Sequence, residues 1–341
     1  MKIKSLLLAV LMSASFVIFC VVNTVALLAT GSKIMQKYAI VVDRDIEYSV
    51  TSMDASGVIK KAPVLGKKIN VVDIEDNKVG PESFNIDSEG NTYVCDPVAS
   101  KVEVYTPTGE AKKTINLGEE IIPTDVAVDD LGNVFVYDER QDVIFQISTD
   151  GKTLASVKVD PDRWIDKAHG PLRVSGSELY FDTSDQEQVL LAKIYKNTLI
   201  ALSEQELAIP LKPGMVMSSG KKLTVDLLWR EKGILNFLDS NGNIDVSIDI
   251  ALPGIVSIQI LQEDVDGNIY LQTERNAGEA VIILEVYKIS PTGEILSVVP
   301  ITGNTGFLVP PVKLLAVTKS GAITQFKLGP TKGKICTYQQ Q

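Results

Sequence analysis

From residue 38 onward, apolar side chains occur in short runs rich in β-branched and aromatic residues, and Gly, Pro, Asn and Asp separate these runs. Runs of about five or six residues bounded by turn residues are typical of β-strands. No stretch in this region repeats its apolar positions with the period of a helix. The one long apolar stretch, Ser5 to Thr30, precedes it. The pattern therefore predicts an all-β domain that follows a single apolar segment.

An internal repeat of 42 residues organises the clearest part of this pattern. The segment PESFNIDSEGNTYVCDPVASKVEVYTPTGEAKKTINL starts at Pro81, and the segment PTDVAVDDLGNVFVYDERQDVIFQISTDGKTLASVKV starts at Pro123. The two segments align without a gap, so that Gly90 matches Gly132. A fixed period of this length is the mark of a repeat architecture.

Weaker copies of the same unit follow, and each reads as four short strands. They are Leu172 to Ala208, Met215 to Ile250, Ser257 to Val299 and Val312 to Tyr338, with a partial unit from Tyr38 to Val64 before the clear copies. A unit of about 40–50 residues with four strands predicts a β-propeller in which each unit is one blade. Five internal copies, and end pieces that combine into one closing blade, favour six blades, with seven as the alternative. Closure from both ends removes exposed sheet edges.

The two clear copies resemble the NHL-type repeats of β-propellers. They share a proline, a strand, an Asp, two variable residues, Gly-Asn, and an aromatic-Val strand that ends in Asp. Pro81–Gly109 and Pro123–Gly151 carry this string best, and Asp264–Gly293 carries part of it. The resemblance covers about residues 38–340 at the level of the fold. The second loop departs from the usual Asn-x-Arg element, with Pro97–Lys101 and Glu139–Asp142 in its place.

The amino-terminal segment predicts membrane attachment. Ser5 to Thr30 contains no charged residue and follows Lys2 and Lys4. A bilayer span needs about 20 apolar residues, more than the apolar region of a typical signal peptide. We therefore expect a retained signal anchor or transmembrane helix in residues 1–32 and a propeller domain in residues 33–341. The propeller is expected on the extracytoplasmic face, and secretion after cleavage is the alternative.

Net charge limits the partners of the domain. The chain carries a formal charge of −10, and its first 30 residues contain two Lys and no acidic residue, so the remainder carries −12. Nucleic-acid binding needs concentrated Lys and Arg, and no such concentration is present. The composition, with 45% hydrophobic residues, also excludes a disordered chain. We expect a protein or an envelope component as the partner, the membrane as the anchor, and no nucleic acid.

Asp-x-x-Gly-Asn turns recur along the chain and invite two interpretations. They are Asp87–Asn91, Asp129–Asn133, Asp239–Asn243 and Asp264–Asn268. Carboxylate and carbonyl oxygens suit calcium, but an EF-type loop needs a Glu about six residues beyond the Gly, where Thr273 stands in the last turn. Gly with positive φ and Asp that accepts backbone N–H bonds make hairpin turns. The sequence favours structural turns, with calcium as the alternative.

In a propeller, the loops between the second and third strands of a blade share one face with the connections between blades. Here these loops are long and charged, and we name them the connection-loop face: Asp96–Lys101, Asp138–Asp142, Asp160–Pro171, Asp182–Gln188, Arg230–Gly233 and Gln272–Ala280. Trp and Arg often dominate interface energies. The predicted binding residues are therefore Arg163, Trp164, His169, Arg140, Arg230 and Arg275. Asp96, Asp138 and Asp182 are predicted to cap their own loops.

A single histidine, His169, restricts the available chemistry. A three-His zinc site is impossible, no Gly-x-Ser-x-Gly elbow accompanies a Ser-His-Asp set, and no Walker or Rossmann motif occurs. The propeller lyases and amidating enzymes that the resemblance suggests use several histidines, so their activities are not expected. The favoured function is a non-catalytic binding or scaffold module, with no catalytic and no metal residues assigned. The alternative is a calcium-dependent, lactonase-like propeller hydrolase with its site at the central channel.

Two cysteines belong to blades that ring closure makes neighbours. Cys95 lies in the first clear copy and Cys336 in the last. A disulfide between them would suit an oxidising exterior. Two buried thiols are the favoured interpretation, because a shared blade junction alone does not bring two Cβ atoms within bonding distance.

Overall fold

The short apolar runs form strands that pair into six sheets, five of them in chain order, and the sixth joins the last three strands to the first three. The computed structural model describes residues 38–53, 69–74, 77–81, 83–163, 169–183, 187–208, 214–217, 219–228, 231–276, 282–301, 313–328 and 332–340. Within these residues each sheet is one blade, and the six blades form a β-propeller. The prediction of an all-β propeller with six blades is confirmed.

The strands of the blades follow the predicted copies closely. The described part of the chain starts with β1 (Tyr38–Met53), β2 (Ile69–Ile74) and β3 (Asn77–Val79). Blade 1 consists of β4 (Phe84–Ile86), β5 (Thr92–Asp96), β6 (Lys101–Tyr105) and β7 (Ala111–Asn116), and blade 2 of β8 (Asp125–Val128), β9 (Val134–Asp138), β10 (Val143–Ile147) and β11 (Thr153–Lys158). A 3-10 turn, Pro161–Arg163, follows blade 2.

The remaining blades keep the same four-stranded order. Blade 3 consists of β12 (His169–Ser175), β13 (Glu178–Thr183), β14 (Gln188–Tyr195) and β15 (Thr198–Ala201), and the short helix α1 (Glu204–Leu207) follows it. Blade 4 consists of β16 (Met215–Val216), β17 (Lys222–Leu228), β18 (Lys232–Leu238) and β19 (Ile244–Ala251). Blade 5 consists of β20 (Ile255–Glu263), β21 (Ile269–Asn276), β22 (Ile282–Ile289) and β23 (Ile295–Ile301). The last three strands, β24 (Leu315–Val317), β25 (Ile323–Leu328) and β26 (Lys332–Gln340), belong to blade 6.

Blade 6 closes the ring with strands from both ends of the described chain. β24, β25 and β26 pair in order, and β1 then pairs antiparallel with β26, from Tyr38 opposite Gln340 to Glu47 opposite Lys332. The second part of β1 pairs parallel with β2. This arrangement confirms the predicted closing blade, which unites strands that are about 300 residues apart in the sequence.

The hydrophobic core lies between neighbouring blades. All five residues of β5 and of β9, the second strands of blades 1 and 2, are buried. Tyr137 of blade 2 packs edge-on against Phe181 of blade 3, with ring centroids 4.8 Å apart, and Phe84 of blade 1 lies 6.0 Å from Phe326 of blade 6. Aromatic pairs of this kind add about 1 kcal/mol beyond the area that they bury. Each blade is therefore stabilised by its neighbours.

The Asp-x-x-Gly-Asn segments form hairpin turns, as predicted. In the first turn, Asp87 Oδ1 accepts from the backbone N–H groups of Glu89 and Asn91, at 2.9 and 2.8 Å. Its Oδ2 accepts from Asn91 Nδ2 at 2.7 Å and from the hydroxyl of Tyr93 at 3.1 Å. Gly90 has a φ of +84°, which a residue with a Cβ rarely adopts. The backbone and Asn bonds recur at Asp129, Asp239 and Asp264.

Asp264 is the turn aspartate with the most partners. It is 5% exposed, its carboxylate accepts from Asn268 and from the hydroxyl of Tyr270, and it lies 3.3 Å from Lys288 Nζ. Burial by itself raises the pKa of this carboxyl, but the hydrogen bonds from Asn268 and the charge of Lys288 outweigh burial and lower it. Lys288 is also buried, so the pair is a structural element of blade 5.

We expect Asp264→Ala to destabilise the protein by about 3 kcal/mol, because it leaves the buried ammonium group of Lys288 without its carboxylate. The matched control is Asp239→Ala, which removes the same turn bonds at an exposed hairpin and has a smaller effect. Urea unfolding of both variants measures the difference. If both variants lose the same free energy of unfolding, the ion pair with Lys288 adds no stability beyond that of the turn.

The same carboxyl makes stability depend on acid. The pKa of Asp264 is lowered in the folded state. Its contribution to the free energy of unfolding is therefore fully present above the pKa of the unfolded chain, about 3.9, and is lost as the pH falls through the lowered pKa of the folded state. We expect Asp264→Asn to be less stable than the wild type at neutral pH and to approach it toward pH 2. Urea midpoints at a series of pH values measure this. A difference that stays constant with pH would contradict the expectation.

The predicted membrane segment lies outside the described residues, as does the predicted domain boundary between residues 32 and 33. Lys37–Gln341 forms one compact unit. Among the described residues, no helix has the length and the hydrophobicity that a membrane crossing requires.

Candidate ligand site in the propeller channel

The first strands of the blades surround the central channel. β24, β4, β8 and β12 contact one another in that order, and β20 contacts β24. Each first strand runs from a blade connection to the hairpin that leads into the second strand. The channel therefore has the connection-loop face at one end. At its other end is a face that we name the hairpin-turn face, formed by residues 87–91, 129–133, 175–177, 264–268 and 318–322.

A cavity of about 650 Å³ occupies the channel at the hairpin-turn face. Its wall is formed by first-strand residues of all six blades, including Asn85, Val128, Arg173 and Val216. Its rim is formed by hairpin residues, which are Asp87, Ser88, Asp129, Asp130, Leu131, Gly176, Ser177, Thr318 and Lys319. The volume lies within the range of about 300–1,000 Å³ that is usual for small-ligand sites.

A buried lysine ties three blades together beside this cavity. Lys313, just before β24, is 9% exposed, and its Nζ donates to the backbone carbonyls of Val126 and Leu172, each at 3.1 Å. The same Nζ lies 3.5 Å from Asp125 Oδ1. Val126 belongs to blade 2 and Leu172 to blade 3, whereas Lys313 belongs to blade 6. The side chain therefore reaches across the channel.

The carboxylate of Asp125 is fully occupied by donors. It accepts from the hydroxyl of Ser83, from the backbone N–H of Leu172 and, at 2.7 Å, from the N–H of Val126. Asp125 is 3% exposed. Because its oxygens also neighbour Lys313, this group is placed to hold the blades together.

Arg173 and Asp182 form a second polar link. Arg173 Nε and Nη2 donate to Asp182 Oδ2 at 2.9 and 2.7 Å, and Nη1 donates to the carbonyl of Leu261 in blade 5 at 2.6 Å. Gln188 donates to the other oxygen of Asp182 at 2.8 Å. Asp182 is 2% exposed, whereas 17% of the Arg173 side chain is exposed. The guanidinium group thus lies between a buried partner and the cavity.

The other two loop aspartates cap their own loops, as predicted. Asp96 accepts from the backbone N–H of Ala99 at 3.0 Å, and Asp138 accepts from that of Gln141 at 3.2 Å. Asp182 on β13 instead accepts from Arg173 of β12 and from Gln188 at the start of β14, so it links its strand to both neighbouring strands. An acidic ring of free carboxylates is therefore not formed by these residues.

Three glutamines of blade 5 form an amide wall of the cavity. Gln259 on β20 lies opposite Gln272 on β21, and Gln262 follows on β20. All three are half-buried. Within the described ranges, none of their amide groups donates or accepts a hydrogen bond. This wall is where the cavity has unused hydrogen-bonding capacity.

Two lysines lie at the rim. Lys196 is exposed, and its Nζ lies 5.2 Å from the centre of the Tyr195 ring. Lys319 forms an ion pair with Asp130, which joins the hairpins of blades 6 and 2. Both members of this pair are well exposed, so it contributes little to stability.

The acidic side chains that line the cavity are engaged by other residues of the described structure. The lining carboxylates are those of Asp87 and Asp129, which accept bonds within their own turns, and that of Asp130, which pairs with Lys319. Among the residues that the structure describes, no group of three or more His, Cys, Asp or Glu is placed to hold a metal ion. The lining groups that can bond to a ligand are amides, cations and the hydroxyls of Ser88, Ser175 and Ser177, beside apolar side chains.

The residues predicted on the connection-loop face are only partly described. Arg140 is exposed and donates to the carbonyl of Glu120 at 2.8 Å, and Arg275 forms a two-bond pair with Glu285 at 2.9 and 3.1 Å. The bonds to Glu285 raise the pKa of Arg275. Neither Arg140 nor Arg275 lines the cavity. The side chains of Arg163, Trp164, His169 and Arg230 lie outside the described residues, and their role stays a prediction.

Sequence reasoning missed the residues of the channel cavity. A signal for them exists, because Gln259 and Gln262 interrupt the apolar sequence IVSIQILQE of β20 with polar residues. Gln259 and Gln262 share a cavity with Arg173 and Lys196 of blade 3 only because the closed ring places blades 3 and 5 around one channel. Nothing local in the sequence indicates this.

Cys95 and Cys336 are both buried as thiols. They belong to separate hydrophobic clusters, Cys95 with residues of blades 1 and 2, and Cys336 with residues of blades 5 and 6.

No family model matches the sequence, and no curated protein matches it. Solved structures of similar shape include a streptogramin B lyase, which is 12% identical with a TM-score of 0.41 and matches over 89% of this chain and 98% of that one. Hydrazine synthase of Kuenenia stuttgartiensis is 12% identical with a TM-score of 0.45, over 72% and 76%. The WD40 repeats of RRP9 are 12% identical with a TM-score of 0.44, over 76% and 94%. Sequence identities and TM-scores this low are no evidence of a shared function.

We expect Arg173→Ala to destabilise the protein by about 3 kcal/mol, because it leaves the buried carboxylate of Asp182 without its cation. The matched control is Arg140→Ala, which removes an exposed guanidinium group 3.9 Å from Asp138 and is expected to cost at most about 1 kcal/mol, because the buried Asp138 carboxylate keeps its hydrogen bonds from Ile122 and Gln141. Urea unfolding measures both changes. A loss at Arg173 no larger than that at Arg140 would contradict a structural role for the channel pair.

Proposed function

We propose that this protein is a membrane-anchored, extracytoplasmic binding propeller without catalysis, and that its channel cavity is the ligand site. One observation carries the proposal. The cavity combines a volume suited to a ligand with amide groups that have no partner in the described residues, while its carboxylates are committed to turns and ion pairs. Such a wall can hold a ligand but offers no general base.

The location of the protein in this proposal rests on the sequence alone. The uncharged stretch from Ser5 to Thr30 is the anchor, and the net charge of −12 in the remainder suits a soluble domain outside the membrane. The connection-loop face, with Arg163, Trp164, His169 and Arg230, is proposed as a second surface that meets a protein or an envelope component. These two faces lie at opposite ends of the channel.

Filling the cavity mouth tests the proposal. Ser177 is an exposed rim residue, and Ser177→Trp is expected to place an indole in the mouth and to lower ligand occupancy at least about tenfold. The matched control is Ser320→Trp, at an exposed hairpin position of the same face that does not line the cavity. The full-length protein is purified from its membrane, and native mass spectrometry measures the retained ligand. Full occupancy in Ser177→Trp would contradict the proposal.

The calcium-dependent hydrolase is separated from binding by a second measurement in the same preparation. Thermal melting is compared with calcium and with EDTA. The binding proposal predicts equal midpoints, because the turn carboxylates are already held by backbone N–H and Asn donors. A tight calcium-dependent rise in the midpoint would favour the hydrolase.

A further inference from the structure

The amide wall is chemically matched to a peptide. A primary amide side chain presents one carbonyl acceptor and two N–H donors, and a peptide bond presents one of each. Gln259 and Gln272 lie opposite each other, so their amide groups come from adjacent strands at the same level of the channel. An extended ligand with regularly spaced N–H and C=O groups can satisfy both at once.

The cationic side of the cavity is matched to a carboxylate. Arg173 has five N–H groups, of which three donate to Asp182 and Leu261, so two are left for a ligand. Lys196 has the ring of Tyr195 as its neighbour and no carboxylate within ion-pair distance among the described residues. A carboxylate is an acceptor-only group, and its bonds to cations are stronger than neutral ones.

The apolar part of the site extends beyond the cavity onto the rim. Leu131 and Val265 are 72% and 74% exposed at hairpin tips of blades 2 and 5, which lie on opposite sides of the ring. Leu131 lines the cavity mouth, whereas Val265 does not line the cavity, so a chain that continues out of the cavity toward blade 5 would contact Val265.

The absence of aromatic side chains narrows the ligand class. None of the described residues that line the cavity is Phe, Tyr or Trp. A nucleobase or another flat ring would lack the stacking surface that such ligands use.

From this geometry we propose that the channel cavity captures the carboxyl-terminal end of a peptide chain. The terminal carboxylate meets Arg173 and Lys196, the last peptide groups meet Gln259 and Gln272, and the preceding residues cross the rim. This inference rests on the proposed function, since it names the ligand class of the same cavity.

The test compares two libraries of acetylated tetrapeptides with the same mixed sequences, one ending in a free carboxylate and the other in a carboxamide. The full-length protein carries ¹⁵N in its glutamine side chains, and NMR follows their NH₂ signals during titration. We expect the free-acid library to shift the signals of Gln259 and Gln272, and the amidated library to bind about tenfold more weakly. Equal affinity for the two libraries would overturn the inference.

Variants locate the binding. Gln259→Ala combined with Gln272→Ala is expected to weaken capture of the free-acid library about tenfold, because two hydrogen-bonding groups are lost. Binding to this variant is followed by the NH₂ signal of Gln262, which lines the same cavity. The matched control is Gln205→Ala in α1, an exposed glutamine outside the cavity, which is expected to bind like the wild type. Unchanged binding by the double variant would also overturn the inference.

The outcomes separate this inference from the function on which it rests. If neither library shifts the two signals but the ligand retained from the native membrane does, the peptide inference fails and the binding function stands. If neither the libraries nor the retained ligand shifts them, both fail.

Discussion

The pairing of β1 with β26 is the constraint on which the rest of the structure depends. Hydrophobic clusters join blades 1 and 2, 2 and 3, 4 and 5, 5 and 6, and 6 and 1, so the core is complete only when the ring is closed. A chain segment of about 300 residues separates the paired strands, but the entropy of loop closure grows only with the logarithm of length. The long antiparallel register from Tyr38 to Glu47 therefore holds the ring with local sheet bonds.

Ring closure also creates the channel and its polar links. Lys313 of blade 6 meets carbonyls of blades 2 and 3, and Arg173 of blade 3 meets a carbonyl of blade 5. These contacts join strands that are not neighbours around the ring. Lys313 is buried, and its carboxylate and carbonyl partners belong to blades 2 and 3, whereas Arg173 pairs with Asp182 of its own blade and adds one bond to blade 5.

The acidic character of the chain is used mainly for turns and ion pairs. The turn aspartates accept backbone N–H groups at 2.8–2.9 Å, and Asp182 and Asp125 are held by donors inside the fold. The groups of the cavity that can bond to a ligand are consequently amides, hydroxyls and cations, although the domain is acidic overall. This contrast explains why net charge alone is a poor guide to the ligand.

The blades and their turns could be predicted from the sequence because their causes are local. The 42-residue repeat, the alternation of apolar runs with Gly-Asn hairpins, and the caps at Asp96 and Asp138 each depend on residues only a few positions apart. The bonds of Asp182 and the amide wall of Gln259 and Gln272 could not be predicted in this way. Asp182 is bonded within blade 3, but the guanidinium group that it holds also reaches the carbonyl of Leu261 in blade 5, and the cavity is lined by residues of all six blades. Side chains that are distant in the sequence therefore meet only after the ring has closed. Local turn and strand chemistry was thus determined by the sequence itself, whereas tertiary structure decided the site, since only packing sets which blades face one another across the channel.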